Sequence, residues 1–231
     1  RVNKLGLDYE GKSVWSQGLG LASAQALDTD TKKTTCPDHA NCQNICLADT
    51  SGQNQLYGGD GPYRGGPRLS QYLKTEALVM HPGEFAILLY EQTKKHHNKA
   101  RSTAGYEWFI PEGKTKKDRI KIPKQEYQPA FRLNVTADIP AEVFKPIIDS
   151  FPKAKFYDYT KLLKQDSKDI GENHHLTYSS NGAAQVINGK LVKPNGPSNW
   201  DRVVNLMLSN KGKNVAMAFS TKKKMPKFVR D

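Results

Sequence analysis

The chain has 231 residues, with 35 Lys plus Arg against 23 Asp plus Glu and a formal net charge of +12. That length suffices for one large domain with a full core, and we read residues 1–231 as a single unit. No run of roughly 18 apolar residues occurs, so no membrane-spanning helix is expected, and the cationic excess points toward phosphate-rich partners, nucleic acid or an anionic small molecule.

Residues 1–35 are polar and dotted with glycine, with one better-ordered segment at 13–27 that reads as a first strand. It runs into Cys36-Pro37-Asp38-His39-Ala40-Asn41-Cys42-Gln43-Asn44-Ile45-Cys46, which holds all three cysteines of the chain at a spacing of C-x5-C-x3-C. On a helical turn Cys42 and Cys46 share a face. Two metal readings follow. Cys36, Cys42 and Cys46 can hold a [4Fe–4S] cluster and leave one iron open. With His39 added, the same loop can form a tetrahedral Cys3His zinc site. One disulfide with a leftover thiol, or three buried thiols, is the plainer alternative. No apolar signal segment opens the given sequence, and a reducing cytoplasm, which suits thiolate ligands, is the expected compartment.

A loop with glycines at 58, 59, 61, 65 and 66 follows. It leads into a helix from Pro67, with Leu69, Tyr72, Leu73, Ala77 and Met80 as its apolar stripe. Glycine-rich loops ahead of helix N-termini cradle anions, and Arg64, Arg68 and Lys74 lie around this one. His81-Pro82-Gly83 breaks the helix, and a second is expected over 84–96 with Phe85, Leu88 and Leu89 inward. His96 and His97 then form part of a solvated, cationic helix end. Residues 98–128 read as a charged excursion or hairpin with Tyr106, Trp108 and Phe109 and a basic tip at 114–119.

From residue 128 the rhythm is regular. Strands are expected at 130–137, 155–159, 174–179 and 215–219, with helices opening at Pro140 and Trp200. Alternation of this kind implies parallel crossovers: an α/β fold with a parallel sheet, barrel-like or a partial barrel, with the cysteine loop as an N-terminal metal-binding appendage. Sites in such folds gather beyond the carboxyl ends of the strands. Those ends carry Asn134 and Asp138, then Asp158, Tyr159 and Lys161. Asp138, Asp158 and Lys161 are therefore the candidate catalytic acid, base and anion contact. Asn134 and Tyr159, together with Arg68 and Lys74, are candidate cofactor-binding residues.

CPDHANCQNICLADTSG at 36–52, RLSQYLKTEAL at 68–78, RLNVTADIP at 132–140, FYDYTK at 156–161 and HHLTYSS at 174–180 occur in this order. Together they resemble the gene-product-eighty-eight-like family of bacteriophage proteins over roughly residues 30–220. That resemblance implies a viral accessory protein acting in the cytoplasm of an infected bacterium. It also implies that Cys36, Cys42 and Cys46 act as a unit, with Arg68, Lys74, Asn134, Asp138, Asp158, Tyr159 and Lys161 on the family's other recurring motifs. It supplies no reaction. Three cysteines ahead of a barrel are also similar to radical-SAM enzymes. Those space them C-x3-C-x2-C and carry a glycine-rich methionine-binding motif, of which Tyr57-Gly58-Gly59-Asp60 is a superficial match. Three functions are open: an iron–sulfur protein, a zinc-stabilised nucleic-acid-binding protein, and an enzyme on a nucleotide-like or phosphorylated substrate.

Overall fold

A computed structural model describes residues 13–22, 35–36, 66–163, 170–187, 190–192, 198–209 and 213–219. Its frame is a sheet of five parallel strands: β1 (Val14–Gly18), β4 (Gln128–Arg132), β5 (Lys155–Thr160), β6 (His174–Ile187) and β8 (Asn214–Phe219), in that spatial order. The far end of β6 turns back as an antiparallel pair with β7 (Lys190–Val192). A second, two-stranded antiparallel sheet joins β2 (Tyr106–Phe109) to β3 (Ile120–Pro123). Among the described residues, four helices lie between the strands: α1 (Gly66–Met80), α2 (Pro82–Arg101), α3 (Lys145–Ser150, preceded by a 3-10 turn at Ala141–Phe144) and α4 (Trp200–Leu208). None is long and apolar enough, among the described residues, to cross a membrane.

Each parallel strand lies beside its predecessor in the parallel set, so the sheet advances in one direction. Right-handed crossovers then deliver every helix to the same face. The core agrees with that geometry. Phe131, Phe156, Leu176 and Tyr178 point from alternate strand positions into a cluster with Phe85, Phe144, Ile147, Ile148, Phe151 and Ile170. Phe131 and Phe156 stack at 5.3 Å between neighbouring strands. The opposite face carries Ser16, Arg132, Tyr157, Tyr159, His175 and Thr177, none of them in that core.

The sequence accounts for most boundaries. Pro82 sits at the first position of α2, where a missing N–H costs nothing, and Lys99 and Arg101 occupy its last turn. The helix is longer than expected, ending at Arg101 rather than near His96. Its inward stripe is Phe85, Leu89, Thr93, His96 and Ala100, while Leu88 is 63% exposed. His96 is therefore not a solvated cap. Its ring packs edge-on against Phe131 at 5.0 Å and Trp15 at 5.7 Å, and Nε2 lies 3.1 Å from the Trp15 carbonyl. Burial holds its imidazole below the usual histidine range. The predicted stripe of α1 also fails in part. Leu69, Leu73 and Met80 are exposed, and its fully buried residue is Thr75. Apolar periodicity marked the helix but not the side it turns inward. The strand expected over 130–137 ends at Arg132, because the chain then bends to make the loop contacts below.

A polar belt along the carboxyl edge of the sheet

Beyond the carboxyl ends of the strands, side chains and backbone join in one hydrogen-bonded belt. It starts on α1, where the buried Thr75 hydroxyl donates to the Gln71 carbonyl at 2.9 Å and accepts from Ala22 N–H at 2.8 Å. The Ala22 carbonyl accepts from Thr35 Oγ1 at 2.6 Å, and the Thr35 carbonyl accepts from Asp138 N–H at 2.7 Å. Asp138, 1% exposed, accepts from Thr160 Oγ1 on Oδ1 and from the Lys161 N–H on Oδ2, each at 2.8 Å. The Lys161 carbonyl meets Asn199 Nδ2 at 3.4 Å, and Asn199 and Asn181 exchange backbone-to-side-chain bonds of 2.8 and 2.9 Å. The segments that follow β1 and β4, the end of β5, the irregularity within β6 and the helices α1 and α4 are thus tied in a row.

Asp158, 2% exposed, anchors a second tier. Oδ1 accepts from Asn134 N–H at 2.7 Å, and Oδ2 lies 3.4 Å from His174 Nε2. The Asn134 amide in turn brackets Ile139, accepting from its N–H at 3.1 Å and donating to its carbonyl at 2.9 Å. Buried carboxylates require partners of this kind, since an unpaired buried charge is far too costly to keep.

The structure therefore gathers Asn134, Asp138, Asp158 and Lys161, four of the residues singled out in the sequence. Lys161 enters through its backbone. Asp138 and Asp158 hold loops in place, with both carboxylates turned away from solvent. Tyr159 lies on the opposite face of the sheet, 42% exposed, with the Arg132 guanidinium 4.7 Å from its ring. Lys74 lies elsewhere, in an apolar groove between α1, α2 and β1 that it shares with Leu73, Phe85, Leu88 and Leu89. Burial there lowers its ammonium pKa. Arg68 falls in the first turns of α1, and its side chain, like Cys42, Cys46 and His39, lies outside the described residues.

Cys36 is described, and it sits at this edge. Directly after the belt residue Thr35, half-buried, its Sγ is 3.9 Å from the Thr136 carbonyl. Thr136 is itself hydrogen-bonded through Oγ1 to the Leu21 carbonyl. Among the described residues no three His, Cys, Asp or Glu side chains form a group able to hold a metal ion.

Four residues escaped the sequence reading. Arg132 stands on the open face with a buried Nε that has no hydrogen-bond partner among the described residues. Nearby His175 is kept below its usual pKa by burial, by Lys155 and by His174. The Asn181–Asn199 pair closes the belt, and two asparagines 18 residues apart give no local signal. Arg132 was legible only as part of the RLN strand.

No curated protein and no solved structure matches this chain. The family described as Gene product 88 matches it over residues 4–228. With nearly its whole length covered, the chain belongs to the Gene product 88 family, a family of bacteriophage gene products.

Proposed function

We propose that this phage protein is an iron–sulfur protein of the host cytoplasm. Cys36, Cys42 and Cys46 hold a [4Fe–4S] cluster over the carboxyl edge of the sheet, with the fourth iron open. The observation that supports this reading is the anchoring of Thr35-Cys36. The Thr35 carbonyl is bound by Asp138 N–H at 2.7 Å, and Cys36 Sγ lies beside the Thr136 carbonyl. The first thiol of the triplet is thereby fixed where α/β sheets carry their sites. Its half-buried position suits a thiolate ligand shielded from water. The sequential order of its five parallel strands supports reading the sheet as the wall of a partial barrel.

A cluster with an open iron supplies Lewis-acid or one-electron chemistry. The chain's own residues do the positioning. Asp138 fixes the loop that bears Cys36, and its bonds to Thr160 and Lys161 fix that loop to β5. Arg132, with an unused buried donor beside Tyr159, offers a cation for an anionic ligand on the open face. In this reading Asn134, Asp138 and Asp158 shape the site, and the Lys161 side chain is the group at this edge left to meet a ligand.

The test is metal content in single variants. Cys36→Ser, Cys42→Ser and Cys46→Ser should each lose iron and sulfide, and His39→Ala should keep them. Full retention in any serine variant overturns the shared site. Loss of zinc in His39→Ala instead selects the Cys3His site of a zinc-stabilised nucleic-acid-binding protein.

A further inference from the structure

The antiparallel pair β2–β3 takes no part in the core. A two-stranded ribbon alone is marginal in water, and this one is fastened at its base. The Tyr127 hydroxyl bonds Glu107, and Lys124 Nζ reaches the carbonyls of Lys99 and, at 2.5 Å, Ser102. At its apex Gly113 takes a φ of +73°, and Thr115 and Asp118 form a reciprocal cap. The ribbon is thus built and held, yet it exposes Tyr106 by 65%, Trp108 by 59% and Phe109 by 48%. Aromatic surface left in water on so short an element marks an interaction site.

The pairing register gives that surface a pattern. Trp108 lies opposite Lys121, and Tyr106 opposite Pro123, so Tyr106, Trp108, Arg119 and Lys121 share one face. The Arg119 guanidinium stands 4.6 Å from the Trp108 ring centre, and Lys121 Nζ 4.6 Å from that of Tyr106. Rings and cations alternate along the face. Beyond them the exposed tip carries Lys114, Lys116 and Lys117 against two carboxylates, Glu112 and Asp118, of which Asp118 is occupied by Thr115 N–H and Oγ1 at 2.8 Å.

We infer that the β2–β3 ribbon is an arm that binds single-stranded nucleic acid, stacking unpaired bases on Tyr106 and Trp108 while Arg119, Lys121 and the lysine tip take the phosphates. A cation resting on a ring is suited to this exchange. An arriving phosphate draws the cation, and the ring face then accepts a base, which has a π-face whatever its sequence. The charged tip argues against insertion into a lipid surface, where the apolar groups would have to lead. The net charge of +12 supplies the long-range attraction. The inference is independent of the metal site.

The experiment is fluorescence anisotropy of a labelled oligothymidylate with the full chain across a salt series. A labelled duplex and phosphatidylserine vesicles serve as competitors. Trp108→Ala and Tyr106→Ala should each weaken binding of the single strand at least about fivefold. Lys114→Ala, Lys116→Ala and Lys117→Ala combined should flatten the salt slope by about 2. Melting curves should not move, since none of these side chains enters the core. Should a ring variant misfold, the tip lysine variant, wholly solvent-facing, carries the test. Failure to bind the oligonucleotide, binding indifferent to both the rings and the tip, or competition by the vesicles alone would each overturn the inference.

Discussion

Asp138→Ala is the sharpest perturbation of the belt. The carboxylate is 1% exposed and accepts two hydrogen bonds of 2.8 Å, one from Thr160 Oγ1 and one from the Lys161 N–H. Hydrogen bonds to a charged group contribute about 1.5–3 kcal/mol each, and truncation also strands the donors in a buried site. The expected loss is about 3–5 kcal/mol, which for a chain of this size lowers the melting temperature by about 6–20 °C. Asp138→Asn keeps one acceptor but turns N–H groups toward a donor, so it should fall between wild type and alanine. The assay is urea unfolding followed by circular dichroism, with the three proteins compared at the same pH. A loss below about 1 kcal/mol for Asp138→Ala would mean that this carboxylate is not the pin that ties the loop after β4 to β5.

Asn199→Ala removes the acceptor of Asn181 N–H and the donor to the Ser179 carbonyl at 3.1 Å. Urea unfolding should show a loss of about 2–4 kcal/mol, and Asn199→Asp, which retains only the acceptor, should recover part of it. Phe156→Ala opens a cavity under Phe131 and should cost about 3–5 kcal/mol, measurable in the same way. His96 gives a pH signature. Its folded-state pKa lies below the unfolded value, so in the window beneath about pH 6.5 the unfolded chain binds the extra proton and stability falls on acidification. Above that window neither state is protonated and the contribution is flat. His96→Gln should shallow the acid-side slope of stability against pH, although Lys99 and His97, which also depress the imidazole, remain. An unchanged slope would place the proton uptake elsewhere, His175 being the next group to replace.

The parallel α/β layout was legible because strands 155–160, 174–180 and 214–219 alternate or run apolar between helices with clear periodicity. Where the sequence misled, tertiary packing had overruled a local pattern. Leu69, Leu73 and Met80 of α1 are apolar at helical spacing yet face outward, while a threonine at position 75 is buried because its hydroxyl caps a backbone amide of the neighbouring loop. His96 reads as one more cation in KKHHNKAR, and only the approach of Trp15 and Phe131 makes it a packing residue.

The strand-end rule placed Asn134, Asp138 and Asp158 correctly at one edge. It did not reveal that their polar atoms are spent on each other and on backbone, because hydrogen-bond partners 22–24 positions apart leave no trace in spacing. Arg132 and Tyr159 illustrate the converse. Both are in quoted motifs, but alternation along β4 and β5 turns them to the face away from the helices, where the Arg132 guanidinium lies 4.7 Å from the Tyr159 ring.

We propose that the cysteine triplet, starting from the anchored Cys36, holds an iron–sulfur cluster. Its most direct test is anaerobic purification of the chain, followed by a visible spectrum and parallel iron, sulfide and zinc assays. The expected result is a brown protein with about four irons and about four sulfides per chain. A colourless protein with about one zinc and no sulfide would contradict it, as would a folded protein that binds neither.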